Sequence, residues 1–217
     1  MSVTLNIGLS DLSTELGENT VKTDQSRITH YNNAVIEFFS ERKWPFAIKK
    51  DSTTLITLTG ISTYSILAIT DMRKPGGIKF IEIGSSTFKP IDYEDRNNAE
   101  YDRGNWFYMD PEDENITFKG SLTAGLPIIF HYWFIPARLS TLTDSFPLPD
   151  RYRKAVAYLA SAYTQWSRYL SAQGTEKYNL YVRAIKKTTL QQSERHTNKP
   201  RNIKHFLAYR GFRRIYR

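Results

Sequence analysis

At 217 residues, with 40% hydrophobic and 14% aromatic residues, the chain can bury one sizeable core, which argues against global disorder. It has no Cys, which excludes disulfides, thiolate metal sites and cysteine nucleophiles and fits assembly in a reducing cytoplasm. The net charge of +8 is uneven: residues 197–217 hold seven Lys/Arg and no acid, whereas residues 92–114 hold nine acids against Arg96 and Arg103.

In chain order, the N-terminal residues lack the basic and apolar regions of a signal peptide. Leu5, Ile7, Leu9, Leu12 and Leu16 suggest a short helix beginning after Ser10-Asp11. A stronger helix follows Thr23-Asp24, because Ile28, Tyr31, Ala34, Val35, Phe38 and Phe39 recur at three- and four-residue spacing. It stops near Lys43, since Pro45 disfavours helix at Trp44. From Trp44 the pattern becomes β. Strands are predicted at Thr54–Thr59, Tyr64–Ile69, Ile78–Ile83, Trp106–Met109, Asn115–Phe118 and Ile128–Phe134. Pro75-Gly76-Gly77 marks a turn, and Asp110–Glu114 reads as a hairpin loop. Short connections predict a mostly antiparallel sheet.

Pro149 and Asp150 suit a second helical region. Tyr152, Val156, Leu159, Tyr163, Trp166 and Leu170 then form a narrow packing seam, which Gly174 breaks. A further helix with Tyr178, Tyr181, Val182 and Ile185 on one face extends toward Gln192, and the short link makes the pair antiparallel. The expected class is therefore α+β. Residues 1–43 are an N-terminal helical segment, 44–136 a large antiparallel β insertion, 137–196 a helix pair completing a bundle, and 197–217 a basic aromatic arm.

Motifs for chemistry are absent. The four His (His30, His131, His196, His205) make no zinc-hydrolase pair, and no phosphate-binding glycine loop or nucleophile elbow occurs. No metal or cofactor is expected. His131, in an apolar strand, reads as a core or interface residue. The acids Asp92, Glu94, Asp95, Asp110, Glu112, Asp113 and Glu114 read as a solvated cluster, or as a surface that repels DNA in a channel. In the arm, Lys199, Arg201, Lys204, Arg210, Arg213, Arg214 and Arg217 alternate with Phe206, Tyr209, Phe212 and Tyr216. That mixture suits docking on a protein, with aromatics as anchors, ahead of binding nucleic acid.

Three stretches, spanning roughly residues 25–195, resemble the head-to-tail adaptor (connector) proteins of tailed bacteriophages, particularly short-tailed ones. The first is the amphipathic helix running into Phe38-Phe39-Ser40-Glu41-Arg42-Lys43-Trp44-Pro45-Phe46-Ala47. The second is Tyr132–Leu139 with Thr141–Thr143 and Phe146-Pro147-Leu148-Pro149, and the third is the Ala-rich helix Ala155–Leu170 with its successor. The resemblance implies a non-enzymatic ring subunit, commonly of about twelve copies. Such a ring sits in the virion neck between the portal and a tail or nozzle protein, and genomic DNA passes through it without specific binding. It is assembled in the host cytoplasm and has no membrane partner. Three other readings stand beside it: a DNA-binding protein using the basic tail, another phage tail or capsid structural protein, and an enzyme working through the 92–114 carboxylates.

Overall fold

The computed structural model describes residues 2–51, 55–73, 76–110 and 114–197, with side chains in the last helix as far as Lys187. In chain order it contains β1 (Val3–Thr4), α1 (Leu5–Glu15), α2 (Gln25–Glu41), β2 (Ile48–Asp51), β3 (Thr63–Ser65), β4 (Ile78–Ile83) and β5 (Ser86–Pro90). Two 3-10 turns follow, Tyr93–Asn97 and Ala99–Asp102. Then come β6 (Trp106–Met109), β7 (Asn115–Lys119), β8 (Ile128–Trp133), β9 (Ser145–Phe146), α3 (Asp150–Ser167) and α4 (Ser171–Thr197). The class is α+β, with four helices and a large curled mixed sheet among the described residues.

The first helix starts earlier than the sequence suggested. Thr4, not Ser10-Asp11, caps it, its side chain accepting a hydrogen bond from the Ile7 amide. Leu5, Leu9 and Leu12 form the buried face, and Gly8 lies on the same side. A Cβ on Gly8 would sit 2.1 Å from the Tyr31 ring, so only glycine lets α1 approach α2 this closely. Helix α2 is capped as expected by Asp24, which accepts from the Arg27 amide at 3.1 Å. Its buried stripe is Tyr31, Ala34, Val35, Phe38 and Phe39. It ends at Glu41, just before Trp44-Pro45.

Helix α3 packs against α1, α2 and α4. Contacts between Thr164 and His30 at one end, and between Tyr152 and Phe38 at the other, make α2 and α3 antiparallel. Where both helices reach the sheet, aromatic rings interlock. Trp44 stacks on Phe38 at 4.5 Å and donates its indole N–H to the Phe38 carbonyl at 2.7 Å. Tyr152 lies 5.0 Å from Trp44 and 5.2 Å from Phe46, while Phe39 meets both Phe134 and Phe146. Burying each such ring contributes on the order of 2–3 kcal/mol. The buried apolar residues form one cluster continuous from helices to sheet.

The sheet order is β2-β8-β4-β5-β6-β7-β3. Strand β8 shows clean alternation, with Ile128, Phe130 and Tyr132 buried and Ile129, His131 and Trp133 half-buried on the outer face. Three expectations need correction. The sheet is not wholly antiparallel, because β5 and β6 pair in parallel, Lys89 opposite Trp106. The acidic segment between them, with its two 3-10 turns, is the crossover that a parallel pair demands. Residues 55–59 form no strand beyond a single bridge between Ile56 and Pro127, and β5 takes a place that the sequence reading left empty. The Tyr64–Ile69 strand shortens to Thr63–Ser65, because the Ile69 amide turns back onto the Ile66 carbonyl.

Segment 136–144 is irregular, yet it is tied to α2 at Leu139 and runs into β9. The buried Asn32 side chain donates to the Leu139 carbonyl and accepts from the Leu139 amide, each at 2.8 Å. Replacing it strands two buried backbone groups at about 1–3 kcal/mol each. Asn32→Ala is expected to lower unfolding free energy by roughly 2–4 kcal/mol, read as a lower urea midpoint with unchanged slope.

Candidate assembly surfaces

The expected seam divides in two. Tyr152, Val156 and Leu159 are fully buried and Tyr163 is half-buried. Trp166 and Leu170 open onto solvent, and Leu170 lies beyond the helix, which ends at Ser167. Gly174 is not the breaker. It sits inside α4, where a Cβ would fall 2.3 Å from the Trp166 ring, so its bare backbone is the surface on which that indole packs.

The break is instead a left-handed helix cap. The Tyr169 amide donates to the Trp166 carbonyl and the Leu170 amide to the Gln165 carbonyl, each at 3.0 Å. This pair of bonds defines a Schellman motif, whose left-handed position normally holds glycine. Here it holds Tyr169, with φ of 61° and its side chain 95% exposed. A left-handed non-glycine residue costs about 1–2 kcal/mol, and the described residues leave the Tyr169 ring in solvent. Around Tyr169 stand Leu170, Trp166 and Tyr178, all exposed, with Trp166 and Tyr178 rings 5.8 Å apart. The α3–α4 corner is thus an aromatic surface on a fixed backbone.

A second apolar surface lies in the connection from β2 to β3. Ile56, Leu58 and Ile61 are 57%, 53% and 43% exposed. Their backbone is nonetheless pinned. The buried Thr57 hydroxyl donates to the Thr123 carbonyl at 2.6 Å and accepts from the Leu126 amide at 2.9 Å. The Tyr64 hydroxyl accepts from the Leu58 amide at 2.9 Å and donates to the Ile61 carbonyl at 3.1 Å. Gly60, at φ of 76°, makes the turn. Buried polar anchors thus hold these apolar side chains outward.

Charge is distributed with these surfaces. The crossover between β5 and β6 carries Asp92, Glu94, Asp95, Glu100 and Asp102 against Arg96 and Arg103. Asp92 precedes the first 3-10 turn, which contains Glu94 and Asp95. Asp110 accepts from the Tyr93 hydroxyl at 3.3 Å, and the Glu114 carbonyl accepts from the Ile66 amide. Glu112 and Asp113 lie outside the described residues. The helical hairpin 150–187 carries eight Lys/Arg against Asp150 and Glu176. Near the corner, the Glu18 carboxylate is shared by Lys22, buried Arg27 and Arg168. Desolvation and the Arg27 charge together hold the His30 pKa below its ordinary value.

His131 takes a specific place on the outer face. Its ring stacks on Phe80 at 4.1 Å, and its Nε2 lies 3.1 Å from Glu82, whose carboxyl this hydrogen bond holds below its usual range. Among the described residues, no group of His, Asp or Glu is placed to hold a metal ion, and no helix is long and apolar enough to cross a membrane. A cleft of about 610 Å³ runs beside the aromatic junction, lined by Phe46, Phe134, Phe146 and the Lys49–Asp71 pair. All the arm residues, Lys199, Arg201, Lys204, Phe206, Tyr209, Arg210, Phe212, Arg213, Arg214, Tyr216 and Arg217, lie outside the described residues.

Sequence reasoning missed Tyr169, Leu58 and Ile61. Alternation of Thr with Leu and Ile looked like a strand, and the glycine at 174 drew attention from the true cap. The chain matches no protein-family model and no curated protein.

Tyr169→Gly removes the left-handed penalty and is expected to stabilise the fold by about 1 kcal/mol. In a chain of this size that raises Tm by roughly 2–4 °C. Calorimetry checks it, and a fall in Tm would mean that the Tyr169 ring is held by the fold after all.

Proposed function

We propose that this chain is a non-enzymatic virion protein, the ring subunit of the head-to-tail adaptor of a tailed bacteriophage. The observation that carries the reading is the pair of pinned, outward-facing apolar surfaces, at the β2–β3 loop and at the α3–α4 corner. A subunit gripped on two sides needs such surfaces on a stiff frame. In this reading helices α2, α3 and α4 form the wall of a bundle, and the sheet is a lobe inserted into it. About twelve copies close a ring by repeating one contact. The arm 197–217 docks on the portal, and its modest affinity per copy multiplies around the ring through avidity. The opposite rim meets a tail or nozzle protein. The acids of the β5–β6 crossover face the DNA passage, where like charge keeps the genome from sticking.

Electron microscopy of the protein mixed with portal tests the assignment, the expected image being a ring capping the portal. Deleting residues 197–217 should leave thermal unfolding of the remainder nearly unchanged while abolishing portal attachment. If portal binding survived and salt-sensitive binding to duplex DNA vanished instead, the arm would be a nucleic-acid contact. Replacing Asp92, Glu94 and Asp95 with their amides should leave Tm unaltered and slow genome ejection, measured as delayed dye release from virions.

A further inference from the structure

We infer that His30 is an acid-sensitive latch: its neutral imidazole holds the start of α2 against the end of α3, and uptake of a proton loosens that contact. The device lies in the fold itself and does not depend on the assembly proposed above.

Hydrogen bonds fix the form of the ring. The Thr164 hydroxyl donates to the Ala160 carbonyl at 2.9 Å, one turn back along α3. Its proton is thereby spent, and the oxygen is left as an acceptor. The His30 Nδ1, 3.3 Å from that oxygen, is therefore the donor. A neutral ring with its proton on Nδ1 meets this need, which leaves Nε2 as the nitrogen that takes a second proton. Thr164 is buried and His30 half-buried, so the bond sits at the interface between the two helices.

The surroundings make that second proton costly. Asp24 and Arg27 act on the ring from the start of α2, and Arg168 acts on it from the end of α3. Arg27 is 3% exposed and is held by Glu18, in the segment between α1 and α2. The same Glu18 oxygen takes Lys22 at 3.2 Å and Arg168 at 3.8 Å, so three cations already share one carboxylate. Asp24 spends one carboxylate oxygen on capping the Arg27 amide. A histidinium would add a further cation to this neighbourhood. Removal from water weighs most against the charged ring and the Arg27 charge comes next; Asp24 pulls the other way, and Arg168 adds to the opposition.

The sign of the pH effect follows. In the unfolded chain the ring takes its proton near the ordinary value of about 6.5. In the fold it resists, so the unfolded chain binds more protons as pH falls. The stability that His30 contributes is complete above about pH 6.5 and is lost as pH drops through that value toward the lower folded one. The contacts affected are those of His30 with Thr164 and of Glu18 with Arg168, both at the end of α3 just before the Tyr169 cap. Acid therefore acts on the backbone that presents the α3–α4 corner.

The test follows the histidine signals of the full chain by NMR as pH is lowered, the His30 ring being assigned through its contact with Thr164. Its midpoint should lie below the ordinary value of about 6.5. Arg168→Gln removes one repelling charge and should raise that midpoint, which a purely structural role for His30 would not require. His30→Asn keeps a donor near the Nδ1 position without a group that titrates. Between about pH 7.5 and about pH 5.5 the folding constant of the wild type should fall relative to that of His30→Asn, by no more than the roughly tenfold per pH unit that one proton allows. Over the same range hydrogen exchange, corrected for intrinsic rates, should quicken in residues 18–31 and 160–168 of the wild type more than in His30→Asn. A midpoint at or above the ordinary value, a midpoint that Arg168→Gln fails to raise, a ratio of the two folding constants that ignores pH, or exchange in those segments that does not differ between the two proteins would each overturn the inference. If His30→Asn does not fold, the titrations of the wild type and of Arg168→Gln decide it.

Discussion

The fold hangs on the aromatic junction, where Phe38, Phe39, Trp44, Phe46, Phe134, Phe146 and Tyr152 bring two helices and the sheet to one point. Rings suit this place because large rigid side chains fill a three-way gap with little rotamer entropy to lose. The indole of Trp44 satisfies the Phe38 carbonyl left open where α2 ends, so the same residue stops the helix and seals its end. Everything outside follows from that anchor. The helices fix the direction in which α3 leaves it, and β8 fixes the direction of the sheet.

Because the junction carries the packing load, the extremities are free to carry other duties. The α3–α4 corner keeps an exposed tyrosine where glycine would be cheaper, and the β2–β3 loop turns its aliphatics outward around buried polar anchors. In the proposed assembly these local departures from the cheapest solution mark the surfaces that other chains cover. The half-buried outer face of β8 differs. There the His131 ring stacks on Phe80 and its Nε2 lies beside the Glu82 carboxylate.

Much of this was legible in the residues. Helix α2 and the start of α3 followed from apolar spacing, the Asp24 cap and Pro149, since these signals are local. Four of the strands followed from alternation for the same reason. What escaped depended on distant partners. Strand β5 has weak alternation and is made by pairing with β4 and β6. The parallel pairing could not be foreseen, because 3-10 turns rather than a helix make the crossover. Residues 55–59 have strand-like composition, but Thr57 spends its backbone and side chain on Leu126 and Thr123, which leaves Leu58 facing water. At the corner, a glycine needed for close approach imitates a glycine needed for a turn.

One small element has a large effect on when the molecule can form. Strand β1 pairs with β9, Val3 opposite Phe146, and Asp11 on α1 is gripped by Arg153. Helix α1 can lean on α2 early, but the β1–β9 pair and the Asp11–Arg153 grip join residues about 140 positions apart. Contacts at that separation close a long loop before they stabilise anything, so Leu5, Leu9 and Leu12 gain their full cover only late in folding.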